Sequence, residues 1–185
     1  MNTNYSTQND LLLQNLLEFY KEGDNMDKML NIINGKSLIS LRIIDWFATN
    51  YAKKNYTVYQ LQGTERRFKV YNDYKLKLKA YSKRRFDPFC RWERINIPYK
   101  DDSFIQTTIG QLNFFKWAIE NEVIDYIKLN YTEIEKDMNQ RNTNSKKKEF
   151  IVKKDNKTRK KREELSVSAS KSIKKEKVEI VLKFD

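Results

Sequence analysis

The sequence predicts an α+β fold in which helices pack on a small antiparallel sheet or hairpin. Three observations predict it: helical periodicity near both ends of the first 140 residues, aromatic and β-branched runs between them, and a change of composition at residue 141. Only 39% of the residues are apolar and 34% are charged, which indicates a modest core and a segment that does not fold alone. We expect a disordered N-terminus (1–9), a core domain (10–140), a flexible basic arm (141–177) and a terminal β-strand (178–185).

Helical patterns begin the predicted core. One helix starts near residue 10 and ends before Gly23, and a shorter helix covers about 26–34. Ser37 is the predicted N-cap of the segment LISLRIIDWFATNYAKK. Apolar residues cover more than one face of that segment, so it is the predicted central buried helix.

Strand signals follow the central helix. Residues 56–61 are aromatic and β-branched, and Gln62 and Gly63 form a turn signal, so these residues are predicted to form a hairpin with 68–71. Pro88 and Pro98 then bracket a stretch that is predicted to be a loop or a short edge strand.

Residues 74–80 fit two structures. Lysines alternate with apolar residues here, which favours a half-buried strand with its lysines on one face. A helix is the alternative, because four apolar residues recur at helical spacing: Val70, Tyr74, Leu78 and Tyr81.

Residues 101–140 predict helices. Thr107 or Thr108 is the predicted N-cap of the first, and Asn121 its C-cap. The pair has the outline of a helix-turn-helix, but it carries 8 acidic residues against 3 basic ones, and a recognition helix that faces phosphates would not be acidic. A helical pair that closes the core is therefore the favoured interpretation.

The C-terminal segment has a different composition. Residues 141–177 carry 15 basic and 5 acidic residues with few large apolar ones, which predicts a polycationic arm that associates with nucleic acid or serves as a nuclear-import signal. The last residues, VEIVLKFD, alternate apolar and polar positions. This pattern predicts a strand that docks on the chain's own sheet edge or adds to a partner's sheet.

Several functional classes are disfavoured by composition. The chain has no histidine and one cysteine, which excludes histidine-based catalysis and a structural zinc site, and its four glycines lie too far apart for a phosphate-binding loop. We expect no enzyme activity, no cofactor and no metal. No apolar run reaches about 18 residues and no signal peptide is evident, so we expect no membrane partner and no secretion.

Several motifs resemble one known family. The segments LISLRIIDWFATNYAKK, YKLKLKAYSKRRFDPFCRWERI, GQLNFFKWAIENEVIDYI and KTRKKREELSVSASKS occur in this order. Together they resemble a family of small basic proteins of unknown function encoded by nucleocytoplasmic large DNA viruses, the giant viruses. The resemblance implies a viral origin, with the host-cell cytoplasm or virus factory as the location and the virion or host nucleus as alternatives. It implies no activity.

Residues 65–100 combine cations with aromatic residues. They carry 12 basic and 4 acidic residues; cations neutralise phosphates and aromatic rings stack on bases. The competing interpretation makes the aromatic residues core and the lysines protection for an edge strand.

We predict a non-catalytic viral protein that binds DNA or RNA largely independently of sequence. The alternative is a structural or scaffold protein of the virion or virus factory, which docks a viral protein through its C-terminal arm and strand. The predicted nucleic-acid-binding residues are Lys75, Lys77, Lys79, Lys83, Arg84, Arg85, Phe86, Arg91, Trp92, Arg94, Lys146, Lys147, Lys148, Arg159, Lys160, Lys161 and Arg162.

Overall fold

The predicted α+β class is confirmed. A computed structural model describes residues 7–90, 93–99, 103–151 and 175–177. The helices are α1 (Gln8–Lys21), α2 (Asn25–Ile33), α3 (Leu41–Trp46), a π-helical turn (Phe47–Tyr51), α4 (Ala52–Lys54), α5 (Val70–Phe86), α6 (Ile109–Glu120), α7 (Val123–Leu129) and α8 (Tyr131–Ile151). The strands are β1 (Val58–Gln60), β2 (Arg67–Lys69), β3 (Arg94–Tyr99), β4 (Ser103–Thr108) and β5 (Lys175–Lys177).

Helices α1 and α2 occupy their predicted positions. The Thr7 hydroxyl caps α1 by accepting a hydrogen bond from the backbone N–H of Asp10. Leu16 and Tyr20 are buried on its inner face. The Tyr20 hydroxyl donates to the carbonyl of Leu112 at 2.7 Å, which joins α1 to α6, and burial raises the pKa of Tyr20.

The central helix is buried as predicted, but its cap is not Ser37. The Ser40 side chain caps α3 by accepting a hydrogen bond from the N–H of Ile43, whereas Ser37 accepts one from Ile39 in the preceding turn. The helix continues from α3 through the π-helical turn into α4. Phe47 is completely buried in this turn.

Two antiparallel sheets are present among the described residues. The predicted hairpin is confirmed, since β1 pairs with β2 in the register Tyr59–Phe68. The second sheet has the order β3–β4–β5, with Ile97 opposite Ile105. Strand β3 is an edge strand, as predicted for the stretch between the prolines.

The helical prediction for residues 101–140 did not include the strand that precedes its N-cap. Residues 103–108 form β4, because β3 supplies a pairing partner and the segment contains the strand-favouring residues Phe104, Ile105, Thr107 and Thr108. Helix α6 starts at Ile109 with Thr108 as N-cap and ends at Asn121, as predicted. The backbone then turns at Glu122, which has a φ of 54°.

Helices α6 and α7 close the core. The α6 residues from Gly110 to Phe115 are all buried, and so are Trp117 and Ala118. Val123, Ile124 and Ile127 of α7 are buried as well, so both helices of the pair pack into the core. Helix α8 packs Ile134 and Met138 onto the core and runs on to Ile151, beyond the predicted domain end at 140.

The C-terminal predictions fall mostly outside the described residues. Within the predicted arm, Lys175–Lys177 form β5, which pairs with β4 from Ser103 to Ile105. Residues 141–151 of the predicted flexible arm continue α8 as helix, and residues 152–174 of the arm lie outside the described residues. The predicted terminal strand at 178–185 also lies outside them.

Candidate nucleic-acid interface

Helix α5 carries six of the basic residues predicted to bind nucleic acid. The predicted strand at 74–80 is wrong, and the helical alternative is confirmed. Val70 and Tyr74 are buried, and Leu78 and Tyr81 are half-buried beside them. This helical stripe packs on α6, where the Tyr74 ring lies 5.7 Å from that of Trp117.

The helix separates lysines that a strand would have aligned. Lys75 and Lys79 lie one turn apart, about 6 Å along the axis, and both are exposed. Lys77 lies about 200° around the axis from Lys75 and is half-buried. The predicted row of three lysines is therefore a pair.

An open surface surrounds this pair. Tyr71, Asn72, Lys75, Leu76, Leu78 and Lys79 line it. Lys53 of α4 joins it, because its ammonium group lies 5.7 Å from the centroid of the Tyr71 ring. We call these seven residues the α5 face. Leu76 is 65% exposed there.

Lys75 and Lys79 of the α5 face have no acidic partner among the described residues. No carboxylate lies three or four residues from Lys75 or Lys79 in sequence, and neither lysine forms an ion pair with any residue the structure describes. The only acidic residue of α5, Asp73, accepts a hydrogen bond from the Trp117 indole at 2.7 Å and lies 3.9 Å from Arg66. Its charge is therefore directed away from the lysine pair.

A sharp kink at Ser82 sets off the last residues of α5, and we call residues 82–87 the corner. Ser82 has φ 63° and ψ 165°, a conformation that is normally restricted to glycine. Pro88 is buried just beyond the corner, and the side chain of Asn113 donates to the carbonyl of Arg85 at 2.9 Å. A Cβ atom on Gly110 would lie 2.8 Å from the Arg84 carbonyl, so α6 approaches the corner backbone closely.

The corner is less available for binding than the sequence predicted. Phe86 is completely buried, so the prediction that its ring contacts nucleic acid is wrong. Arg84 lies 3.3 Å from the Glu93 carboxylate. Arg94 donates to the side-chain oxygen of Gln106 at 2.9 Å. Lys83 lies 3.9 Å from Asp87.

The remaining predicted site residues have different positions. Arg85 is half-buried. Residues 146–148 lie on the last turns of α8. Residues 91, 92 and 159–162 lie outside the described residues. The predicted site residues that the structure brings together on one face are thus Lys75 and Lys79.

Two residues of the α5 face, Lys53 and Tyr71, could not be identified from the sequence. Lys53 lies 18 positions before Tyr71, and only the packing of α4 against α5 brings them together. Tyr71 fits the apolar and the exposed side of a helix equally well. Periodicity therefore does not identify either residue as part of a site.

A half-buried carboxylate lies behind the corner. Partial burial, with the charge of Asp87, raises the pKa of Asp45 on α3 to about 6, although the charge of Lys83 lowers it. The carboxylate accepts no hydrogen bond from a described residue. Asp45 is thus a half-buried acid close to the basic corner.

The pKa of Asp137 on α8 is shifted in the opposite direction, below its usual value. Burial alone would raise the pKa of Asp137, but hydrogen bonds from Lys54 and Trp46, with the charges of Lys54 and Arg141, lower it. The Lys54 ammonium lies 2.8 Å from this carboxylate and the Trp46 indole 3.2 Å. Asp137 therefore links α8 to α3 and α4.

No group of three or more acidic, cysteine or histidine side chains that would hold a metal ion occurs in the part of the chain that the structure describes. None of the described helices has the length and hydropathy needed to cross a membrane.

Comparison with known proteins assigns a family. The model of a family of unknown function, DUF7197, matches residues 2–168. The chain belongs to this family. A relative is an uncharacterised protein of Acanthamoeba polyphaga mimivirus, which is 48% identical over 127 residues. That match covers 65% of this chain and 49% of the relative, so the chain spans about half of the relative's length.

These matches agree with the resemblance to a giant-virus family of unknown function. No solved structure matches the chain.

Proposed function

We propose that this family member is a non-catalytic viral protein that binds nucleic acid, DNA or RNA, largely independently of sequence. The observation that carries the proposal is the pair Lys75 and Lys79, two exposed cations on one helical face without an acidic partner among the described residues. Like charges four residues apart destabilise a helix by about 0.2–0.5 kcal/mol. An external polyanion offsets this cost, because its phosphates lie between the two ammonium groups.

Flexible cations suit contacts with the backbone of a nucleic acid. Lysine has a long stem and a point charge, so it follows phosphates without reading base edges. Lys53 extends the charged surface beyond α5, and the arm adds residues 159–162, which are all basic. Host-cell cytoplasm or virus factory is the location that fits this role, with the virion or host nucleus as alternatives.

Measured salt dependence tests the proposal. The full-length protein is titrated into a fluorescein-labelled 20-nucleotide strand and its duplex between about 50 and 200 mM salt. The variant with Lys75→Gln and Lys79→Gln loses two phosphate contacts, so the slope of log affinity against log salt should become shallower by about 1.4–1.8. Affinity at the lowest salt should fall about tenfold.

A matched variant controls for net charge. Lys36→Gln with Lys136→Gln removes two exposed lysines from the α2–α3 connection and from α8. This variant should bind almost as tightly as the unmodified protein. Equal losses in the two variants, or binding that does not depend on salt, would contradict the proposal.

The alternative function is a structural or scaffold role in the virion or virus factory. The observation that favours it is the pairing of Lys175–Lys177 with β4, since a C-terminal segment that adds to a sheet resembles strand addition between proteins. Crosslinking and mass spectrometry on infected cells test it, with the full chain compared to one that lacks residues 178–185. Crosslinks from the arm to one viral protein that disappear in the shortened chain would support a scaffold.

A further inference from the structure

The α5 face combines cations with exposed apolar groups, which indicates more than charge neutralisation. Leu76 lies between Lys75 and Lys79 in sequence and is 65% exposed. Tyr71 and Leu78 are half-buried and line the same open surface. The polar side chain of Asn72 is also exposed there.

A duplex would leave these apolar groups unused. Its bases are stacked and paired inside, and its outer surface is the charged backbone. A single strand exposes the faces of its bases, which pack on aromatic and aliphatic side chains while lysines contact the phosphates. The side chain of Asn72 adds a donor and an acceptor for base edges.

We propose that the α5 face binds single-stranded nucleic acid, with bases against Tyr71, Leu76 and Leu78 and phosphates at Lys53, Lys75 and Lys79. This inference rests on the proposed function and names its substrate class. Charge complementarity selects a polyanion, and the apolar groups between the charges select one with exposed bases. The cation beside the Tyr71 ring places a phosphate contact next to a base contact.

Electrostatics alone predicts the opposite preference. Duplex DNA carries two backbone charges for each step of the helix and releases more counterions per contact than a single strand. The basic arm therefore favours a duplex. A preference for single strands has to arise from contacts with bases, which makes it diagnostic of the α5 face.

Three probes of equal length test the inference with the full-length protein. They are a mixed-sequence 20-nucleotide single strand, its duplex, and a 20-nucleotide strand in which abasic sites replace the bases. The single strand should bind about tenfold more tightly than the abasic strand, since one stacked base contributes this much. It should also bind more tightly than the duplex.

Two conservative variants locate the contact. Leu76→Ser changes an exposed side chain, and Tyr71→Leu removes the ring but keeps its apolar packing. Each should reduce the advantage of the single strand over the abasic strand several-fold and leave affinity for the duplex unchanged. Melting temperatures measured in parallel should match those of the unmodified protein, which shows that the fold is intact.

The outcomes separate the inference from the proposed function. Salt-dependent binding with a preference for the duplex, or with equal affinity for the abasic strand, overturns the inference and leaves the proposed function in place. The absence of salt-dependent binding to any probe overturns both.

Discussion

Replacing Asp45 with asparagine should stabilise the protein at neutral pH. Asp45 is a half-buried acid whose pKa is raised to about 6, from a usual value of 3.8, chiefly by its partial burial. The folded state therefore binds a proton more tightly than the unfolded state does. The free energy of unfolding therefore falls as the pH rises from about 4 to about 6, because the unfolded state ionises first.

The size of the effect follows from the two pKa values. A difference of about two units corresponds to about 3 kcal/mol at most. The buried amide of asparagine has its own desolvation cost, so we expect a net gain of about 1–2 kcal/mol in Asp45→Asn above pH 7. The gain should shrink between pH 6 and pH 4 and vanish below pH 4, where aspartic acid is neutral in both states.

Urea unfolding at several pH values, followed by tryptophan fluorescence, measures this profile. Asp137→Asn is the matched control, and its expected change in stability has the opposite sign. Its pKa is lowered by Lys54 and Trp46, so the substitution should destabilise the protein at neutral pH and have less effect as the pH falls through the folded pKa. If Asp45→Asn instead destabilises the protein above pH 7, Asp45 acts as an ionised partner of Lys83 and the reasoning is refuted.

Three further substitutions test the geometry of α5 and its corner. Ser82→Gly should raise stability by about 1 kcal/mol, because Ser82 holds a conformation that favours glycine; an unchanged melting temperature would contradict this. Gly110→Ala should cost about 1–3 kcal/mol, because its Cβ would lie 2.8 Å from a backbone oxygen of Arg84; a loss below 0.5 kcal/mol would contradict the close approach. Lys75→Glu should stabilise α5 by about 0.5 kcal/mol through a pair with Lys79 while it weakens nucleic-acid binding; a parallel loss of stability would indicate a structural lysine.

Much of the fold was predictable because its signals are local. The hairpin formed where aromatic and β-branched runs flank Gly63, and α6 began at Thr108, whose side chain accepts from the N–H of Gln111. The start of the central helix was not fixed locally, since Ser37 and Ser40 are both capable caps. Ser40 is the N-cap in the structure, where the apolar residues that follow it pack into the core.

The structure of α5 could not be predicted from its strongest pattern. Lysine alternates with apolar residues at the period of a strand. A helix accommodates the same sequence when only a narrow stripe of its surface is buried, because the long polar side chains then lie outside that stripe. That stripe packs on α6, where Tyr74 contacts Trp117, 43 positions away. Tertiary contacts therefore overrode the local pattern.

The charge of the candidate site could be predicted from the sequence, but the exposure of its aromatic rings could not. The basic segment was evident from counting residues, and it became α5. Which rings are exposed depends on distant packing: Phe86 is buried because α6 approaches at Gly110, while Tyr71 remains half-exposed beside Lys53. No local pattern distinguishes these rings.

The acidic residues of the C-terminal helices do not neutralise the α5 face, because other groups engage them. Glu133 accepts from the Tyr51 hydroxyl at 2.6 Å, and Glu122 accepts from the backbone N–H of residue 62 at 2.9 Å. Asp125 pairs with Lys128 on its own helix. These carboxylates are engaged by groups of the core and its edges, so they do not lie beside the basic residues of the α5 face. Lys75 and Lys79 consequently keep no acidic partner among the described residues, which supports the proposal of a polyanionic partner.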